Sequence, residues 1–73
     1  MAGNGVHTVH KDGAWINEAD GSAIGEKFDV KADAVAAGKA AATERQTEHH
    51  IHNLDGTIGE RNSYGNDPTD RPG

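Results

Sequence analysis

The stretch VKADAVAAGKAAATER, Val30 to Arg45, decides how the rest of the chain has to fold. It is the one long segment of helical character. Alanine, the strongest helix former, dominates it, and Ala34, Val35, Gly38, Ala41 and Ala42 recur along a single stripe. Acidic Asp33 suits the positive end of the helix dipole and Arg45 the negative end, with Asp29 or the residues from Val30 to Asp33 as the start. A stripe of Ala and Gly is shallow. The helix must therefore lie close to its neighbour, and the neighbour must supply the bulk, from Trp15, Ile51, Ile58 and Phe28.

On both sides of the helix the chain is cut by Asp-Gly pairs: Asp12-Gly13, Asp20-Gly21 and Asp55-Gly56. Glycine takes positive φ without strain and aspartate tolerates it, so these dipeptides favour tight hairpin turns. Around the first lie GVHTVH and AWINE, and around the last EHHIHN and TIGERNSY, all of strand length with β-branched or aromatic residues. In a simple hairpin at Asp55-Gly56, Ile51 and Ile58 share a sheet face, which is expected to be the core side. The order strand, strand, helix, strand, strand predicts an α+β domain, a ββαββ two-layer fold with an antiparallel sheet covered on one face by the helix.

At 73 residues the chain is one domain, expected to span residues 1–68 with a flexible tail over 69–73. No cysteine is present, so neither a disulfide nor a zinc–thiolate site can reinforce the small core, and a partner chain is one way to complete it. The net charge of −5, with lysines and arginines scattered, argues against nucleic acid as a partner, because clustered cations supply most of that affinity. The start MAGNGVHTVH carries neither a signal peptide nor a membrane-spanning run, and a cytoplasmic location without membrane contact is expected.

In that order, FDVKADAVAAGKAAA, IH-x-x-DG-x-I and SYGNDP, together with DGAW in the first hairpin, resemble the small bacterial and phage family catalogued as domain of unknown function 2188. The Tyr-Gly-Asn-Asp-Pro segment is the most specific part of the resemblance. Members of that family usually carry Thr at the position of Val30, the expected helix N-cap, and an apolar residue at the position of His49. Asp29 is then expected to take over the cap. His49 is expected to point inward, hydrogen-bonded at the edge of the core.

Two segments carry candidate sites. In EHHIHN, His50 and His52 project from one strand face roughly 6–7 Å apart, a spacing at which two imidazoles can share Zn²⁺, Ni²⁺ or Cu²⁺. A third ligand would come from His7, His10, Glu48 or Glu60; otherwise the histidines belong to a solvated face. In SYGNDP, Tyr64 ends the last strand, Gly65 and Pro68 restrict the chain, and Asn66 and Asp67 form turn hydrogen bonds. That turn is either a clasp sealing the end of the domain or, with Trp15, a surface for a protein partner. Ser22 and Ser63 have no nucleophile elbow, and no calcium loop or phosphate loop is present, so the chain is expected not to be an enzyme and to need no cofactor. The expected activity is protein contact with an unknown partner or a homodimer, with a histidine-based metal module as the alternative and nucleic-acid binding less favoured.

Overall fold

Hydrophobic alternation and two tight turns generate the first half of the domain. The computed structural model describes residues 5–65. Strands β1 (Val6–Lys11), β2 (Ala14–Ala19) and β3 (Ser22–Phe28) form an antiparallel meander, helix α1 (Lys31–Arg45) follows, and β4 (Glu48–His52) and β5 (Ile58–Ser63) form a second hairpin. Asp12 and Gly13 sit at φ 53 and 80, and Asp20 and Gly21 at φ 56 and 79. Two consecutive residues in the left-handed region define the turn whose twist matches paired strands, so each pair closes a two-residue loop.

The helix packed on one face of a sheet, and hence the two-layer α+β domain, agrees with expectation. The sheet differs in two respects. Strand β3 is additional, and it escapes periodicity because Gly25, at φ 72, sits in an irregularity where Trp15 pairs with Phe28 but Asn17 pairs with Ile24. The extra strand reverses the chain once more before the helix, so the return through α1 delivers β4 parallel to β1, and the sheet is mixed with order β3-β2-β1-β4-β5. A helical crossover is the connection that parallel strands require.

The expected shared face of Ile51 and Ile58 is not found. Ile51 is 7% exposed and Ile58 is 55% exposed. Glu60 pairs with Ile51 while Ile58 pairs with His52, so Gly59 is an extra residue that turns Ile58 to the opposite face. Asp55-Gly56 lies in a longer loop, closed by the Asn53 amide donating to Thr57 O at 2.7 Å and by Asp55 Oδ1, which accepts from Thr57 N and Oγ1.

The small stripe of α1 behaves as its composition requires: Ala34, Gly38 and Ala42 are its buried residues. Val6, Ala19 and Ala42 form the apolar centre, with Ile24, Ala41 and Tyr64 packed around it. At the far end Gln46 takes the left-handed conformation, and the amide of Thr47 bonds Ala42 O at 3.0 Å, satisfying a terminal carbonyl. The N-cap is Val30 itself rather than Asp29. Its backbone is extended and it makes no side-chain cap bond. Val30 is also 53% exposed, so replacing it forfeits little burial. Val30→Thr should stabilise the domain by about 1 kcal/mol, seen in thermal unfolding as a rise of about 4–8 °C; an unchanged midpoint would show that the first turn does not limit stability.

Candidate functional site

Alternation along the strands sorts the polar side chains into two groups, one beneath the helix and one on the opposite face. Beneath the helix, Thr8, Asn17 and His49 come from β1, β2 and β4, and they are 0%, 3% and 1% exposed. Asn17 Nδ2 donates to Ala34 O at 3.0 Å, which turns its Oδ1 toward Thr8. The Thr8 hydroxyl donates to that oxygen and so can only accept from His49, whose Nε2 lies 2.7 Å away. The network therefore specifies the Nε2–H tautomer of His49. Its Nδ1 is then a bare acceptor, buried without a partner.

Gly38 makes this arrangement possible. A Cβ there would lie 2.5 Å from both Asn17 Oδ1 and His49 Nε2 and 2.7 Å from Thr8 Oγ1. A hydroxyl bonded to an imidazole is also the pairing found in activated nucleophiles. Here Thr8 is sealed from solvent and its proton is committed to Asn17, so the pairing ties four elements together instead. His49 points inward as expected, though at the centre beneath the helix and not at an edge.

On the opposite face, parallel pairing sets His7 beside His50. Their rings stack with centroids 4.5 Å apart. His7 Nδ1 lies 3.1 Å from His52 Nε2, and His52 Nδ1 lies 3.3 Å from Gly56 O. That carbonyl can only accept, so His52 Nδ1 donates to it, and His7 Nδ1 in turn donates to His52 Nε2. His50 instead faces Glu48, with Nε2 to Oε1 at 3.2 Å. His10 lies on the helix side, edge-on to Trp15. Thus His50 and His52 do share a face, but the imidazole whose nitrogen meets His52 is His7. His7 is one of the four candidates for a third ligand, and the choice among them is made by the crossover that brings β1 and β4 together. Among the described residues no group of three or more His, Cys, Asp or Glu side chains is placed to hold a metal ion.

Burial holds the pKa of His49 below its usual value, with His50 adding to the effect and Glu60 opposing it. His7 is lowered in the same way, first by burial and then by His50 and His52, against Glu18.

Of the other candidates, Tyr64 is half-buried against the apolar centre, its amide donating to Thr47 O at 3.1 Å, and Gly65 lies against the backbone of Gln46. Asn66, Asp67 and Pro68, like the expected tail over 69–73, lie outside the described residues. Trp15 is 8% exposed, with Lys31 Nζ 5.2 Å from its ring centre. Most of the indole is spent inside the fold.

A five-stranded mixed sheet with one helix on one face, and a polar centre under a helix glycine, define a small α+β domain. The chain belongs to the family described as "Uncharacterized protein conserved in bacteria (DUF2188)", which matches residues 6–64, from the start of β1 through Tyr64. No curated protein and no solved structure matches it. No helix among the described residues is long and apolar enough to cross a membrane.

Two outcomes follow from the buried centre. Gly38→Ala should destabilise by about 3 kcal/mol, because overpacking and displaced polar groups outweigh the roughly 1 kcal/mol of helix propensity gained; chemical denaturation measures it, and a stabilised variant would refute the close approach. Since His49 is held below its unfolded value of 6.5, the unfolded chain takes up the proton first. Stability is therefore complete above that pH and falls as the solution is acidified below it, at no more than about 1.4 kcal/mol per pH unit for each such histidine. Urea midpoints measured between neutral and mildly acid pH should decrease monotonically; a flat profile would contradict the burial of a neutral ring.

Proposed function

We propose that the chain is a small non-catalytic protein-contact module that acts by self-association through the sheet face left open by the helix. The observation supporting this reading is the one-sidedness of the domain. Helix α1 covers Thr8, Asn17 and His49, whereas among the described residues no element covers the other face. A solvated sheet face is ordinarily polar. Here the paired Val9 and Ile16 and the exposed Ile58 stand among His7, His50 and His52.

The face also presents both signs of charge, from Lys11 and Arg61 on one side of the balance and Glu18 and Glu48 on the other, which suits a two-fold contact between identical copies. Its size limits the strength. Five strands spaced about 4.8 Å apart and some five residues deep offer roughly 400 Å² per copy, half of what a standard stable interface uses. The association is weak and reversible. Protein contact is favoured over nucleic acid because Lys11 is paired with Glu18, Arg45 lies 4.0 Å from Asp20 and Lys31 sits over Trp15, so the cations are dispersed over both sides of the domain.

Sedimentation velocity on the full chain, from tens of micromolar to about a millimolar, should show a sedimentation coefficient that rises with concentration. Ile58→Lys, at an exposed position that the fold does not need, should return it to the monomer value. A monomer throughout the range removes self-association as the mode of action.

A further inference from the structure

We propose that His7 and His52 form a chelating pair for a divalent transition cation of the zinc type, completed by the carboxylate of Glu18, in the shallow cavity on the open sheet face. The inference rests on the strand geometry alone and stands whether or not the chain self-associates.

The two nitrogens are already placed for the task. In a tetrahedral centre with Zn–N bonds of about 2.0–2.1 Å, neighbouring ligand atoms are about 3.3–3.4 Å apart. His7 Nδ1 and His52 Nε2 lie 3.1 Å apart, close to that separation, and a cation is seated when each ring rotates so that its nitrogen axis, which the hydrogen bond directs at the other ring, turns toward a common point beside them. His52 donates its other ring N–H to the carbonyl of Gly56, which keeps Nε2 unprotonated and turned toward His7. A backbone carbonyl on the far nitrogen is the usual means of orienting a metal-ligating imidazole. Without a cation, the proton between the rings rests on His7 Nδ1. On binding it transfers to His7 Nε2, so the ring stays neutral, both facing nitrogens offer lone pairs, and no net proton is released.

The support around the pair is rigid. His7 and His52 stand on the adjacent strands β1 and β4, and His7 is stacked on His50. Ligands carried on strands are held more firmly than ligands on loops. Both rings line an open cavity of about 590 Å³ that Glu18 and Val9 also line. Glu18 is the cross-strand partner of His7 and so shares its face. Its carboxylate is held by Lys11 at 3.0 Å, and the lysine side chain is 58% exposed. A surface pair of this kind contributes little, so the carboxylate can leave it for a cation. His50 is engaged by Glu48 and is not assigned to the site. Two imidazoles and one carboxylate favour zinc, nickel or copper over calcium or magnesium, which prefer oxygen ligands alone.

The test is titration of the untagged full chain with zinc chloride near neutral pH, at concentrations where sedimentation shows a monomer, followed by calorimetry and by NMR of the histidine ring nitrogens. One zinc per chain should bind saturably, shifting the ring nitrogens of His7 and His52 and leaving those of His10 in place. His7→Ala and His52→Ala should each weaken binding at least about tenfold, given that losing even an outer-shell partner commonly costs that much. Glu18→Gln should weaken it less, and His10→Ala should leave it unchanged. The ring shifts are read on the unaltered chain, so they decide the matter even if a variant fails to fold. Absence of saturable binding overturns the proposal, as do shifts centred on His50 in place of His7, binding that survives His52→Ala in a folded variant, or one zinc per two chains. Binding indifferent to Glu18→Gln removes the carboxylate from the site.

Discussion

The hydrogen bonds that the Thr8 hydroxyl makes to Asn17 and His49, directly beneath Gly38, are the constraint on which the rest of this domain depends. They join three strands, and the Asn17 amide carries the connection to the helix through Ala34 O. Among the described residues the buried apolar side chains are Val6, Trp15, Ala19, Ala34, Ala42 and Ile51, half of them alanine, which offers little relief to fix where a featureless alanine helix should sit. A satisfied polar network supplies that register, because any displacement of α1 would strand buried donors and acceptors in a medium where they are costly. Only Gly38 permits the approach. The unpartnered Nδ1 of His49 is the cost of placing an imidazole there, and it makes the centre sensitive to acid.

The same seven-residue neighbourhood creates both surfaces of the protein. In β4, His49 and Ile51 point beneath the helix, while His50 and His52 point away, simply because successive strand residues alternate. Parallel pairing then sets Val6 and Thr8 against the inward set and His7 against the outward set. One strand pair thus produces a dry, hydrogen-bonded interior and an accessible row of imidazoles. The bulge at Gly59 adds Ile58 to the open face, where it joins the paired Val9 and Ile16.

What the sequence by itself determined were the features with a local cause. The first two Asp-Gly turns, the alanine helix with its Ala34–Gly38–Ala42 stripe, the last-turn Arg45 and the shared face of His50 and His52 all follow from backbone freedom, propensity or period, and each is present, whereas Asp55-Gly56 falls in a longer loop. The inward ring of His49 and the family were legible too, from the pattern of residues along the chain. Strand β3 was not, because Gly25 and its bulge erase the alternation by which a strand is recognised. The face of Ile58 was lost for a related reason: one extra residue in β5 inverts parity, and sequence period assumes that none is inserted. The parallel contact of β1 with β4 was decided only by tertiary structure, since it joins segments some forty residues apart through a crossover whose direction depends on the number of strands before it. Every candidate that rests on that contact, the Thr8–His49 bond within and the His7–His52 pair without, belongs to the fold and to no stretch of the chain.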